Sequence, residues 1–167
     1  YENLSHIKVT SAQDFKIIAL YKIDMHSWFE CKVKFEKTAE EGKIVKVTEA
    51  YLIDAMSFTE AEERTIEEMK PFISGEFEVS NIKRMRISEL FFNENGDKWY
   101  RSKVNFVTID EEKGIEKRTG VTMMVQASDM KDALNGIIEG MKGSMADYEI
   151  ANISETLIMD VYKYGKE

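Results

Sequence analysis

Shifted against itself by 71 residues, this sequence pairs Trp28 with Trp99, Lys32 with Lys103, Val33 with Val104 and Phe35 with Phe106. One extra residue then moves the offset to 72, which aligns Ala55 with Ala127, Ala61 with Ala133, Ile66 with Ile138, Glu67 with Glu139, Met69 with Met141 and Lys70 with Lys142. It returns to 71 for Glu78 with Glu149, Asn81 with Asn152, Ile82 with Ile153 and Ile87 with Ile158. Both shifts fall between periodic segments, where loops tolerate insertion, so the pattern reads as a tandem repeat. Such a chain has to build its core from two copies of one small unit.

The content of the unit follows from its periodicities. Phe29, Cys31, Val33 and Phe35 alternate with Trp28, Glu30, Lys32 and Lys34, and Tyr100, Ser102, Val104 and Phe106 alternate with Trp99, Arg101, Lys103 and Asn105. Period-2 alternation predicts a half-buried strand in each copy. A polar connection with Gly42 or Gly114 leads to a second strand ending in Tyr51-Leu52-Ile53 or Met123-Met124-Val125, runs apolar enough for burial on both faces. Ser57 and Asp129 are good N-cap residues, with Glu60 and Asp132 three positions later, and Ser57 with Glu60 fits a capping box. The helix that follows is expected to turn Phe58, Ala61, Ile66 and Met69, or Met130, Ala133, Ile138 and Met141, toward the sheet. Pro71 and Gly143 end the two helices. A third strand starts at Phe77 or Tyr148, slips its alternation at Asn81 or Asn152 as a bulge or bend would make it, and resumes at Ile87 or Ile158. The expected fold class is α+β: a tandem duplication of a β-β-α-β unit, antiparallel in its sheet or sheets, one helix per repeat covering one face, with pseudo-twofold symmetry.

The copies divide the chain into 25–92 and 93–167, which together form one compact domain, preceded by an extension over residues 1–24 with no counterpart in the repeat. Within that extension Phe15–Tyr21 suits an added edge strand, and the remaining alternative is a weakly ordered arm. Asn95-Gly96 between Leu90-Phe91-Phe92 and Trp99-Tyr100 is a hairpin signal, so the last strand of the first copy is expected to pair antiparallel with the first strand of the second. That hairpin favours one continuous sheet over two sheets packed face to face.

Composition adds limits rather than a function. With 43% hydrophobic and 32% charged residues the chain is apolar enough to fold. The net charge of −8 is evenly spread, with 10 basic and 14 acidic side chains in residues 28–92 and the same numbers in 93–167. An acidic total opposes non-specific binding to nucleic acid, which depends on neutralising phosphates. A single cysteine, Cys31, leaves no intramolecular disulfide, and the apolar runs are too short to span a bilayer as a helix, so a cytoplasmic location is expected.

From Met25 onward the segments Met-His-Ser-Trp-Phe-Glu-Cys-Lys-Val, Ser-Phe-Thr-Glu-Ala-Glu, Pro-Phe-Ile-Ser-Gly-Glu-Phe and Met-Asp-Val-Tyr resemble a family of small proteins from Bacteroidetes, domain-of-unknown-function family 4494. The likeness extends from residue 25 to about residue 162. It implies no activity and no residue roles. Members of the family typically begin at the methionine matching Met25, which leaves residues 1–24 outside it.

No catalytic or cofactor signature stands out. His6 and His26 have no partner at zinc-ligand spacing. Cys31 lies on the apolar face of its strand, where a thiol is packed rather than activated. No phosphate-binding loop or dinucleotide fingerprint is present, and among so many carboxylates no catalytic dyad can be singled out. The reading leans away from an enzyme and expects no cofactor and no metal. The sharpest binding candidate is the repeated Trp-x-x-x-Lys face: Trp28, Lys32 and Lys34 with Trp99, Arg101 and Lys103. There a tryptophan beside cations would stack a base and neutralise its phosphate, with Lys83, Arg84 and Arg86 extending a basic strip. The competing explanation is that these faces pack on each other or on a second subunit. The leading functional expectation is a non-catalytic protein-binding or regulatory protein, acting through its sheet or inter-repeat surface on a protein partner or on itself. A nucleic-acid or nucleotide binder is the alternative, and an enzyme with a cleft between the repeats is a weaker one.

Overall fold

Two long β-hairpins organise the molecule. In the computed structural model, which describes residues 26–165, β1 (Ser27–Thr38) folds back on β2 (Ile44–Ala55), and β5 (Lys98–Asp110) folds back on β6 (Ile115–Ala127). The expectations for residues 1–24, including the edge strand over Phe15–Tyr21, lie outside the described residues. Each hairpin is followed by a helix, α1 (Phe58–Met69) or α2 (Met130–Gly140), and then by a strand, β3 (Phe77–Met85) or β7 (Asp147–Glu155). The short strands β4 (Glu89–Phe91) and β8 (Ile158–Tyr162) complete the order. The described residues thus form a mixed α+β structure of two helices and eight strands in two four-stranded sheets.

The strand order is β3-β1-β2-β8 in one sheet and β4-β6-β5-β7 in the other. Each sheet therefore takes its fourth strand from the other half of the chain. β8 lies parallel to β2, with Leu52 opposite Val161, and β4 lies parallel to β6, with Leu90 opposite Met124. This corrects three expectations. The sheets are mixed rather than antiparallel throughout. There are two of them rather than one continuous sheet. The segment at Asn95-Gly96 is not a hairpin between β4 and β5, because β6 lies between those two strands. The segment instead passes over the end of β6: a Cβ on Gly96 would lie 2.6 Å from the Cα and the amide nitrogen of Ala127. Close backbone approach, not turn geometry, is what requires glycine there.

The slip in the third strand is a bulge in both halves. Lys32 faces Asn81 while Val33 faces Val79, leaving Ser80 extra; Lys103 faces Asn152 while Val104 faces Ile150, leaving Ala151 extra. In the second half Asn152 Oδ1 accepts the Lys103 amide at 3.2 Å. Strand pairing in this register then stops after Met85 and Glu155, so the chain beyond can leave for the other sheet as β4 or β8.

Each helix covers one face of its own sheet. Phe29, Cys31, Val33, Tyr51, Ile53 and Ala55 pack against Ala61 and Met69 of α1, and Tyr100, Val104, Met123, Val125 and Ala127 pack against Ala133 and Ile137 of α2. The inward stripe is Ala61, Thr65 and Met69, or Ala133, Ile137 and Met141. Ile138, Met130 and Phe58, expected to point inward, remain 43%, 54% and 49% exposed. An i, i+4, i+8 row of small and medium side chains lets the helix sit close to the sheet, and Thr65 satisfies its buried hydroxyl by donating to the Ala61 carbonyl at 2.6 Å. The N-caps form as expected, Ser57 accepting the Glu60 amide at 3.1 Å and Asp129 the Asp132 amide at 2.8 Å. The reciprocal carboxylate reaches one residue further back than a capping box requires, Glu60 accepting from Met56 and Asp132 from Ser128.

Candidate functional site

The opposite faces of the two sheets carry the tryptophans, and those faces meet. Leu52, Trp99, Met124, Ile158 and Val161 form a third buried cluster, flanked by the partly buried Trp28, Met85, Ile87 and Leu90. Its members come from both hairpins and both exchanged strands, which explains why the triplets Tyr51-Leu52-Ile53 and Met123-Met124-Val125 are buried without alternation. One face meets a helix and the other meets the second sheet.

The two tryptophans differ in their surroundings. Trp99 is 2% exposed, and the Phe92 ring covers it edge to face with 5.4 Å between ring centroids. Thr156 adds two bonds to the Trp99 carbonyl, from its amide at 2.9 Å and its hydroxyl at 2.8 Å. Such a ring cannot stack a base, so the paired stacking surface expected from Trp28 and Trp99 does not form. Trp28 is only half-buried, and the position 71 residues beyond Phe92 is Lys163, which supplies no ring to cover it. Lys32, Lys34, Arg101 and Lys103 are all exposed. The proposed basic strip also divides: Arg84 sits opposite Phe29 on the helix-bearing face, its guanidinium 5.4 Å from the centre of that ring, while Lys83 sits opposite Glu30 on the other face.

Among the described residues, two grooves open where the sheets diverge. The smaller, about 480 Å³, brings together Lys32 and Arg101 from the two halves, with Glu30 and Glu155 also on its walls. The larger, about 1320 Å³, is lined by Trp28, Phe92, Arg84, Arg86, Lys163 and Tyr164, together with the Gly120–Thr122 stretch of β6. Lys34, Trp99 and Lys103 line neither groove.

A polar cluster closes one end of the larger groove. His26 Nδ1 and Asp54 Oδ1 are 3.0 Å apart, and Asp54 Oδ2 accepts the Tyr164 amide at 3.2 Å. Arg64 donates to the Asp54 carbonyl and to the Lys163 carbonyl, and its guanidinium lies 5.0 Å from the centre of the Tyr164 ring. Gln126 stands at the same place in the other half. Its side-chain carbonyl accepts the Asn93 amide at 3.1 Å and its amide donates to the Gly96 carbonyl at 3.0 Å. Asp54 and Gln126 each follow an apolar triplet at the 72-residue offset, a signal of their role that was legible in the sequence and that composition alone obscures. Each ties down the segment leaving an exchanged strand.

Cys31 is fully buried, and burial pushes its thiol up, away from the reactive thiolate form. Among the described residues no three His, Cys, Asp or Glu side chains gather as a metal site would need, and no helix is long and apolar enough to cross a membrane. No curated protein matches the chain. Residues 27–164 match the family model described as "Domain of unknown function (DUF4494)", and the chain belongs to that family.

Proposed function

We propose that this is a non-catalytic binding or regulatory protein that engages a protein partner through the larger groove between its sheets. The observation that carries the reading is that groove of about 1320 Å³, where the half-buried Trp28 lies beside Phe92, Tyr164 and exposed cations. It is larger than the ~300–1,000 Å³ usual for small-molecule sites, and its mixed apolar and polar lining suits a chain segment. Partly exposed aromatics flanked by arginine are the side chains most often responsible for protein binding energy. We also propose that the chain is a tandem duplication with pseudo-twofold symmetry, its repeats spanning 25–92 and 93–167 as one domain. The 71- and 72-residue offsets and the matched roles of Asp54 and Gln126 support this. A reducing compartment such as the cytoplasm suits its one buried free thiol.

Affinity capture from cell extract with three baits tests the functional reading: the wild-type chain, an Arg86→Glu/Lys163→Glu variant of the larger groove, and a Lys32→Glu variant of the smaller one. A protein retained by the wild type and by Lys32→Glu but lost with the double variant is the expected result. Equal retention by all three baits, or retention by none, refutes the assignment to this groove.

A further inference from the structure

One backbone frame surrounds both tryptophans. Trp28 faces Asp54 across β1 and β2, and Trp99 faces Gln126 across β5 and β6. Beside them β8 ends with Tyr162 opposite Ile53, and β4 ends with Phe91 opposite Val125, so Lys163 and Phe92 follow at matching places. Phe92 lays a ring edge to face on Trp99, with 5.4 Å between centroids, and Trp99 is sealed. Lys163 has no ring to offer. Among the described residues none pairs with the ring of Trp28, which stays half-buried.

The place left open is continuous with the interface between the sheets. Trp28, Met85, Ile87 and Leu90 flank the buried inter-sheet cluster, are partly buried, and all line the larger groove. Part of the groove wall is therefore the uncovered margin of that core, where an apolar group would remove further surface from water. Charge selects no occupant there. Arg86 and Lys163 stand with Asp54 and Glu89, while the Arg84 guanidinium lies over the Phe29 and Phe58 rings, 5.4 and 5.8 Å from their centres, on the helix-bearing face. What distinguishes the groove is an indole that lacks the cover its counterpart has.

We propose that the protein partner docks through an aromatic side chain, whose ring lies on Trp28 as Phe92 lies on Trp99. This rests on the protein-binding reading above. An aromatic ring carries a negative face and a positive edge, so a second ring seated edge-on gains an attraction that an aliphatic side chain of similar size does not. The groove, about 1320 Å³, is far larger than one ring fills, so the ring arrives on a longer segment. Aromatic anchors seated in such recesses carry much of the energy of protein binding, with neighbouring contacts serving to exclude water.

The test selects phage-displayed random dodecapeptides on the full chain and measures the selected peptides, synthesised with end caps and a dye, by fluorescence anisotropy. They are expected to share one aromatic residue, and its replacement by alanine is expected to weaken binding roughly 30-fold or more. Lys163→Phe gives Trp28 the cover that Trp99 has. It is expected to lower acrylamide quenching of the native protein and to weaken the peptides by a similar factor. Lys163→Gln, which removes the charge without adding a ring, is expected to leave both unchanged, as is Lys32→Glu. Selected peptides that share no aromatic residue, yet weaken with Arg86→Glu/Lys163→Glu, overturn the aromatic anchor and leave the groove reading standing. So does full peptide binding by Lys163→Phe, or quenching of that variant equal to wild type. Peptides that bind Arg86→Glu/Lys163→Glu as tightly as wild type, or a library that yields no binder, overturn both.

Discussion

Replacing Gly96 with alanine tests the crossing of the chain over β6. Gly96 does not have positive φ; the glycines that do are Gly42, Gly114, Gly143 and Gly165. Alanine therefore meets no backbone strain, and at an open site with compatible φ it would stabilise the protein by about 0.4–1 kcal/mol by restricting the unfolded chain. The structure reverses that sign. The new Cβ would lie 2.6 Å from Ala127 Cα and N and 2.7 Å from its carbonyl carbon, all backbone atoms that cannot rotate aside. Relief requires the 92–97 segment to lift, which strains the bonds Gln126 makes to Asn93 and Gly96. Overpacking of this kind costs about 1–3 kcal/mol. Gly75 supplies the control, since its φ is also compatible and a Cβ there meets nothing within 4 Å. Urea unfolding followed by circular dichroism is expected to show Gly96→Ala less stable than wild type by about 1–3 kcal/mol and Gly75→Ala equal to it or better. Gly96→Asn separates crossing from hairpin, because asparagine suits a tight turn but carries the same Cβ. An unchanged midpoint for Gly96→Ala, or tolerance of Gly96→Asn, would refute the crossing.

Three further outcomes follow from burial. Acrylamide is expected to quench Trp28 in the Trp99→Phe variant far more than Trp99 in the Trp28→Phe variant, since Trp99 is sealed by Phe92 and Trp28 lines the groove; equal quenching would contradict the asymmetry. Cys31, fully buried with its thiol pushed up by desolvation, is expected to resist thiol reagents at pH 8 until the protein unfolds, and rapid labelling of the folded chain would contradict this. Tyr162 is pushed up from 10.0 to about 12, first by burial and then by Asp160 and Glu68. Between these values the unfolded phenol ionises while the folded one keeps its proton, so the stability Tyr162 contributes is complete below the unfolded value and is lost as pH rises toward about 12. Phenolate absorbance that develops together with unfolding in this range is the expected reading, and full ionisation of every tyrosine near pH 10 in a folded chain would contradict it.

Local periodicity and local chemistry are written in the chain before it folds. Alternation from Trp28 to Phe35 and from Trp99 to Phe106 marked the first strand of each half, Ser57 and Asp129 capped the helices, and the slips at Asn81 and Asn152 marked the bulges, because each depends on neighbours a few residues apart. The triplets at Leu52 and Met124 announced burial on both faces without saying what would cover them. Tertiary packing alone sent β4 and β8 into each other's sheets, because parallel pairing with a strand more than 30 residues later in the chain for β4, or more than 100 earlier for β8, leaves no local mark. It decided the meaning of Asn95-Gly96 for the same reason: a glycine needed for close approach and a glycine needed for a turn are written identically. It also separated Trp28 from Trp99, which match at the 71-residue offset, because the Phe92 ring that covers Trp99 has only Lys163 at the matching position, which supplies no ring for Trp28. The larger groove is legible nowhere in the sequence, since its walls come from both halves and from both exchanged strands' connections, and only packing the two sheets brings them together.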